Sequence, residues 1–423
     1  MTGPSGPSRR GFLGAALGGI GVVAAGGGYG IARATAESAP PQQAVATAPK
    51  AGGVVPFYGE HQAGIATPSQ DRVVFAAFDL TTHDVEAVKT LLGAWSAAAA
   101  QMTAGQLIGA DPEAQAEAPP TDTGEALGLP ASQLTITVGF GPSLFDKRFG
   151  LGARRPAALV DIPAFPTDAL DPARGGGDLG VQACANDPMV AFHAIRNFTR
   201  IARGTAVLRW SQQGFGKTSG IADPNFTGRN LMGFIDGTNN IAPKADIDLN
   251  AFVWVGDETD QAWMHGGSYL VSRRIRMHIE AWDADGIADQ EGVIGRRKDS
   301  GAPLTGAHEH DTVDLAAAGP NGPLIPVDAH IRLAAPATNG GQKILRRGYH
   351  FTDGADPLTG QIDAGLFFLA YQKDVRKQFI PIQKRLSGSD ALNEYIRHTS
   401  SGIFAVPPGL RGPGDWYGQA LFS

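Results

Sequence analysis

The sequence predicts an α+β fold made of two ferredoxin-like sandwiches in tandem, each with helices packed on one face of an antiparallel sheet. Three observations support this prediction. The chain has 423 residues, of which 43% are hydrophobic, so it is long enough for two domains with sizeable cores. Strands precede helices in both halves. The strand and helix of 178–201 resemble those of 363–386, at an offset of roughly 185 residues.

The first half contains three predicted strands and two predicted helices. Apolar residues run or alternate in the strands, which are expected at 71–79, 133–140 and 175–184. Apolar residues recur at helical spacing in 82–102, and a second helix at 187–203 carries a proline near its first turn. This order of strand, helix, strand, strand and helix suggests a ferredoxin-like unit.

The second half follows the same plan. Strands are predicted at 269–279, 330–333 and 365–371, and a helix is predicted at 374–386. No extended sequence identity joins the two halves, so the repeat is inferred from the order of the elements alone.

The chain divides into four predicted segments. They are a signal peptide at 1–36, a disordered linker rich in Ala, Pro and Gln at 37–55, an N-terminal ferredoxin-like domain at 56–225 and a C-terminal ferredoxin-like domain at 226–423.

The first segment indicates export. Arg9 and Arg10 precede an apolar run at 14–31 that is diluted by glycine, and 34–36 offers a small-residue cleavage site. Paired arginines in this context predict a twin-arginine signal, and hence a periplasmic or extracellular location. Glycine lowers helix propensity and hydrophobicity below what a stable membrane anchor needs. An uncleaved transmembrane anchor is the alternative interpretation.

Composition excludes several classes of protein. The formal net charge is −6, and no block of lysine or arginine stands out, so nucleic acid is not an expected partner. The single cysteine, Cys184, excludes a disulfide framework and any site with several cysteine ligands. Its apolar surroundings predict an inert buried thiol.

Three residues could together carry out peroxide chemistry. Asp236 lies between two glycines, and His330 and Arg346 follow about ninety residues or more downstream. Each alone has a simpler interpretation, as a turn, a structural histidine or a surface arginine. Together they fit a haem iron that splits hydrogen peroxide. An imidazole holds the iron, a carboxylate moves a proton, and a guanidinium stabilises negative charge on the departing oxygen.

Other histidines carry weaker indications. His308 and His310 form a His-x-His pair that could bind a metal, but a pair on an acidic loop is more often solvated. His265 beside two glycines is equally ambiguous.

The motifs Gly-Phe-Ile-Asp-Gly-Thr (233–238), Asp-Ala-His-Ile-Arg-Leu (328–333) and Leu-Arg-Arg-Gly-Tyr (345–349) together resemble those of the dye-decolorising peroxidases. The resemblance extends from about residue 56 to near the C-terminus and is greatest to the exported subgroup that includes the deferrochelatases. It implies the fold of that family, with one haem b per chain held in the C-terminal domain and His330 as the proximal iron ligand.

The resemblance also implies further roles. Asp236 matches the distal acid and Arg346 the distal arginine. Arg347 is the less favoured alternative, because it is expected to point to the other face of the strand. The porphyrin would be lined by Gly237, Thr238, Asn239, Ala335, Pro336 and Ala337. Ala335 and Gly348 stand where relatives often carry asparagine, so peroxide positioning is expected to rest on Asp236 and Arg346. Asp374 is a candidate for the acid that orients the proximal imidazole.

The implied function is the reduction of hydrogen peroxide coupled to oxidation of bulky organic donors such as dyes and phenols. Such donors would react at the haem edge or through aromatic side chains, for which the candidates are Trp210, Trp254, Trp263, Trp282, Tyr371 and Trp416. Three alternatives remain open: release of iron from haem with the tetrapyrrole intact, non-enzymatic haem binding, and an exported protein without haem. Iron-uptake membrane proteins and a homo-oligomer are possible partners.

Overall fold

The computed structural model describes residues 53–109, 117–216 and 227–423, and all of the elements below lie in these ranges. The strands are β1 Arg72–Leu80, β2 Thr135–Phe140, β3 Leu179–Ala185, β4 Ala206–Phe215, β5 Ser268–Met277, β6 Ala318–Gly319, β7 Gly322–Pro323, β8 Leu345–Arg346, β9 Tyr349–Ala355, β10 Ile362–Gln372 and β11 Ile396–Val406. The α-helices are α1 Val85–Thr103, α2 Pro188–Ile201, α3 Asp246–Phe252, α4 Ile279–Ala284, α5 Ile287–Ile294, α6 His330–Ala334 and α7 Phe379–Ser389.

Each half contains a four-stranded antiparallel sheet with the strand order of a ferredoxin-like unit. The first sheet has the order β2-β3-β1-β4 and the second β9-β10-β5-β11, with the short β8 added to β10. The two sheets also touch at their edges, where Phe215 pairs with His350 and Phe140 pairs with Ala405. The eight strands therefore form a closed ring, since β5 pairs with both β10 and β11. The predicted tandem α+β fold is confirmed.

Strand β1 is buried on both faces, which explains its continuous apolar sequence. Phe78 faces outward, where its ring lies 5.2 Å from Trp95 of α1, and Trp95 stacks on Phe198 of α2 at 4.7 Å. Phe75 faces into the ring of strands, 5.6 Å from Phe367 of β10. Successive side chains of a strand point to opposite faces, so one strand contributes to two cores.

The prediction of a strand at 330–333 is wrong, because these residues form the short helix α6. The Leu333 N–H donates to the Ala329 carbonyl at 3.2 Å, which closes a helical turn. The helix ends just before Pro336, since a proline disfavours helical conformation in the residue that precedes it. A run of four residues is too short for its periodicity to separate a strand from one turn of helix.

The helix predicted at 374–386 begins later, at Phe379. The Asp374 carbonyl accepts hydrogen bonds from the backbone N–H groups of Lys377 and Gln378, each at 3.1 Å, and this turn precedes α7. The predicted helix is therefore correct in type and displaced in its start.

Strands β4 and β11, the last strand of each sheet, are absent from the prediction. Exposed and buried side chains are mixed along β4, and β11 begins with the polar residues of 397–401. In β11 the polar groups are buried in tertiary hydrogen bonds; the His398 ring, for example, contacts the guanidinium of Arg273 at 3.3 Å. Such contacts leave no apolar pattern in the sequence.

The predicted signal peptide at 1–36 and the linker up to residue 52 lie outside the described residues, and so does the predicted domain boundary at 225–226. These assignments stay predictions. Within 53–109, 117–216 and 227–423, no helix combines the length and apolar character that crossing a membrane requires.

Candidate active site

Asp236 lies in a tight loop between the two halves of the fold. Arg229 and Ile235 form an antiparallel bridge, and the Asp236 N–H donates to the Gly228 carbonyl at 2.9 Å. Gly237 follows with φ +127°, a conformation that L side chains rarely adopt. The glycine therefore lets the chain turn immediately after the carboxylate.

Arg346, on the edge strand β8, forms an ion pair with Asp236. Its Nη1 lies 2.8 Å from Asp236 Oδ1, and the two side chains remain 32% and 27% exposed, so the pair faces an open space. Burial acts to raise the pKa of Asp236, but the guanidinium of Arg346, together with His330 and His350, outweighs it and holds the pKa below its ordinary value. The pair therefore presents an ionised carboxylate beside a fixed positive charge.

Arg347 lies on the opposite side of the strand. Its guanidinium is buried, where it donates to the Thr67 carbonyl and to Gln70 Oε1. This geometry favours Arg346 over Arg347 as the arginine that faces the site.

His330 is the first residue of α6, and Asp390 fixes its ring. The His330 Nδ1 lies 2.6 Å from Asp390 Oδ2, so the other ring nitrogen is the one left to bind a ligand. Burial acts to lower the pKa of His330, but Asp390, with a smaller contribution from Asp236, outweighs it and raises the pKa above its usual value. The ring remains 33% exposed. Both His330 and Arg346 act electrostatically on Asp236 and lower its pKa, so the imidazole lies within electrostatic range of the ion pair.

The proposal of Asp374 as the acid that orients the imidazole is wrong. Asp374 accepts hydrogen bonds from the Arg376 guanidinium at 2.9 and 2.8 Å. Asp390 takes the role instead. Its Oδ1 also accepts the Leu392 N–H at 2.9 Å and starts a short 3-10 turn. An Asp at the start of a helical turn can be recognised from the sequence, but the contact of Asp390 with His330, 60 residues away, cannot.

The predicted porphyrin-lining residues lie in two segments beside these side chains. In the first segment, Gly237 and Thr238 are half-buried and Asn239 is exposed. The Thr238 hydroxyl donates to Glu309 Oε1 at 2.9 Å, a partner that sequence reasoning missed.

The second segment is the turn that follows α6. Ala335 and Pro336 are half-buried and Ala337 is exposed. The Ala335 carbonyl accepts hydrogen bonds from Asn339 Nδ2 at 2.8 Å and from the Thr338 hydroxyl at 2.9 Å. Asn339 thus supplies an amide to this turn from four residues downstream.

Two further residues near the acid were not predicted. The Asn240 carboxamide binds both backbone polar groups of Arg346. His350 on β9 is electrostatically coupled to Asp236, although burial lowers the pKa of its ring. Both residues lie just outside the motifs 233–238 and 345–349, so neither could be singled out from local pattern.

The remaining candidates are not drawn into this site. His310 lies 3.8 Å from its neighbour Glu309 and is 68% exposed, and His265 lies 3.2 Å from Asp257. Across 53–109, 117–216 and 227–423 no cluster of three or more His, Cys, Asp or Glu side chains could hold a metal ion.

The donor set fits an iron porphyrin. One imidazole is anchored through a single nitrogen and remains partly exposed, and it acts electrostatically on the carboxylate of an acid–guanidinium pair. Haem iron takes one such axial ligand, and its opposite face needs a proton carrier and a positive charge for peroxide chemistry. On a tandem ferredoxin-like frame, this arrangement defines the class of haem peroxidases.

Comparison with known proteins identifies the family. The Dyp-type peroxidase N-terminal domain matches residues 62–216, and its C-terminal domain matches 227–411. The deferrochelatase of Escherichia coli K12 is 40% identical over 376 residues, covering 86% of each protein. The chain belongs to the Dyp-type peroxidase family.

Solved structures agree. A DyP-type peroxidase from Streptomyces coelicolor is 41% identical with a TM-score of 0.80, over 86% of this chain and 96% of that one. Ferric DtpA from Streptomyces lividans is also 41% identical, with a TM-score of 0.80 over 88% and 97% of the two chains. The predicted family, the haem-dependent peroxidase class and the haem cofactor are thereby confirmed.

Replacement of Arg346 is expected to shift the pH dependence of the peroxide reaction. In Arg346→Leu the guanidinium no longer offsets burial, so the pKa of Asp236 rises and its carboxylate is protonated at higher pH. The acid limb of the rate profile should move to higher pH, with a rate loss of about 10²- to 10³-fold at neutral pH. Stopped-flow measurement of the peroxide reaction from about pH 3 to about pH 8, in steps of about one pH unit, checks the position of the acid limb. Arg411→Leu, at an exposed position, is the control; an unmoved acid limb contradicts the assignment.

Replacement of Asp390 is expected to weaken the binding of hemin through His330. Asp390→Asn removes the charge that holds the His330 ring, and loss of such an outer partner typically costs about 10- to 100-fold in metal affinity or activity. Titration of the apoprotein with hemin measures the affinity. Asp374→Asn is the matched control because its carboxylate pairs with Arg376 and not with His330. Equal losses in both variants would remove the specific role of Asp390.

Proposed function

We propose that this protein reduces hydrogen peroxide at a haem b ligated by His330 and oxidises bulky organic donors such as dyes and phenols. One observation supports the proposal above all others: the Asp236–Arg346 ion pair lies within electrostatic range of the His330 ring, which Asp390 anchors. When bound, haem supplies the iron at which peroxide is cleaved and the electrons of the donor are accepted.

The distal residues have distinct roles in this proposal. Asp236, ionised because Arg346 depresses its pKa, accepts a proton from one peroxide oxygen and returns it to the other. The Arg346 guanidinium stabilises the negative charge that develops on the departing oxygen, and it stays charged throughout. Asp390 keeps the His330 ring in one orientation.

The backbone around the site would complete the cavity for the porphyrin. Gly237, Thr238 and Asn239 follow the acid directly, and Ala335, Pro336 and Ala337 follow the helix that carries the histidine. Both segments are joined directly to the site residues, which supports their assignment to the lining of the porphyrin.

Donors too large for this cavity would deliver electrons through aromatic side chains, and burial separates the candidates. Trp282 and Tyr371 are fully buried, and Trp210, Trp254 and Trp263 are nearly so. Trp416 is the candidate whose side chain is half-buried rather than enclosed, and its ring lies 5.6 Å from Phe422. A donor could therefore touch Trp416 without a change in the fold.

A second candidate function is release of iron from haem with the tetrapyrrole left intact. It is favoured by the 40% identity to a protein named deferrochelatase. The same histidine and cavity would bind the haem, and iron-uptake membrane proteins would then be the partners. A purely haem-binding module would use the same residues without either reaction.

The proposal predicts the behaviour of a histidine variant. The haem-loaded protein should oxidise an anthraquinone dye on addition of peroxide, whereas His330→Ala should lose the Soret band and the dye oxidation because the imidazole that would hold the iron is gone. His265→Ala, an exposed histidine that pairs with Asp257, should keep both. Wild-type absorbance and activity in His330→Ala would contradict the ligand assignment.

The same preparation separates the candidate functions. Protoporphyrin appearing in an anaerobic incubation with hemin and without peroxide would favour iron release. Dye oxidation with the haem intact would favour the peroxidase. If neither reaction is observed, the result favours the binding module.

We also propose export through the twin-arginine pathway, on the basis of Arg9 and Arg10 ahead of a glycine-diluted apolar run. Exchange of both arginines for lysine should retain the protein in the cytoplasm of the expressing cell, since the pathway reads the arginine pair. Fractionation followed by immunoblotting measures the distribution. Unchanged export of the lysine variant would reject this route.

A further inference from the structure

The side chain of Asn240 makes two hydrogen bonds to the backbone of Arg346. Asn240 Nδ2 donates to the Arg346 carbonyl at 2.7 Å, and the Arg346 N–H donates to Asn240 Oδ1 at 2.8 Å. The Asn240 N–H in turn donates to the Gly237 carbonyl at 2.9 Å. The loop that provides the acid is therefore attached at its end to the strand that provides the arginine.

The position of Arg346 on its strand explains why such a contact is needed. β8 pairs with β10 on one side, where Arg347 N–H donates to the Leu369 carbonyl at 2.7 Å. Backbone groups of successive residues in a strand point to opposite sides, so the N–H and C=O of Arg346 point away from β10. A carboxamide carries a donor and an acceptor on one carbon, and Asn240 can therefore replace the neighbouring strand.

We propose that Asn240 is a positioning residue that fixes the backbone of Arg346, and thereby holds the guanidinium against Asp236 in the geometry that peroxide cleavage needs. We call the two hydrogen bonds between the Asn240 carboxamide and the Arg346 backbone the clamp. The acid and the clamp then belong to one five-residue loop, 236–240, so the carboxylate of Asp236 and the guanidinium of Arg346 cannot move independently. The catalytic part of this inference rests on the proposed function, whereas the clamp itself does not.

The inference predicts a specific effect of losing the carboxamide. Asn240→Leu keeps the approximate volume but leaves the two Arg346 backbone groups without these partners. The guanidinium would no longer be held in place, and a displacement of about 1 Å is enough to cost on the order of 10²-fold in rate. Binding of hemin should stay within about twofold of wild type, because His330 and Asp390 are untouched.

Hydrogen exchange in the apoprotein tests the clamp without any haem chemistry. In Asn240→Leu the amide of Arg346 should exchange about tenfold faster or more, because its acceptor is gone. Asn250→Leu is the matched control, since this asparagine is exposed on α3. Asn240→Asp is a second variant of similar shape that keeps an acceptor for the Arg346 N–H but has no donor for the carbonyl. It should keep the amide protected if Asn240→Leu proves too unstable to study.

Two measurements on the haem-loaded protein test the positioning. Fluoride added to the ferric protein should bind about tenfold more weakly to Asn240→Leu, because a displaced guanidinium no longer donates to the anion. The second-order rate constant with peroxide should fall on the order of 10²-fold, while Asn250→Leu matches wild type. Asn240→Asp should lie between the two.

Two results would overturn the inference. Unchanged exchange at Arg346 in Asn240→Leu removes the clamp, and faster exchange with unchanged fluoride affinity and peroxide rate removes the positioning role. Failure of the proposed function is a different result: Arg346→Leu itself would then react with peroxide at the wild-type rate.

Discussion

The site depends on a carboxylate kept ionised inside the protein. Burial alone would favour the neutral form of Asp236, and the guanidinium of Arg346 at 2.8 Å, with smaller contributions from His330 and His350, reverses that preference. Two partly enclosed charges are stable together only if neither can move away, because an unpaired buried charge is costly. Three features restrain the pair: the glycine turn after Asp236, the short strand β8 that contains Arg346, and the Asn240 carboxamide.

The opposite side of the site follows the same logic. His330 is held by Asp390, which is nearly buried and is itself fixed as the cap of a short turn. An imidazole anchored through one nitrogen presents the other in a defined direction. The two sides thus use the same device, in which a polar side chain from a distant segment restrains the group that would meet the cofactor.

The fold explains where these residues can occur. The two ferredoxin-like halves share a strand order, yet the connections after their first strands differ. β1 is followed by the long helix α1, whereas β5 is followed by a segment with α4, α5 and α6 that carries His330. Asp236 comes from the segment that precedes β5. The sheets supply a rigid frame, and the chemistry lies on connections that leave the sheet pairing intact.

The sequence by itself determined the fold class and the family. Apolar patterning specifies β1, α1 and α2 because burial of these residues depends mainly on local spacing, and the motifs around Asp236, His330 and Arg346 specify the family. Only the tertiary structure decided that 330–333 is a helix, that Asp390 rather than Asp374 orients the histidine, and that Asn240 binds Arg346. The helix was missed because four residues are too few for their periodicity to separate a helical turn from a strand. The other two features depend on contacts between residues 60 or more positions apart, and a local pattern contains no information about which distant group will be the partner.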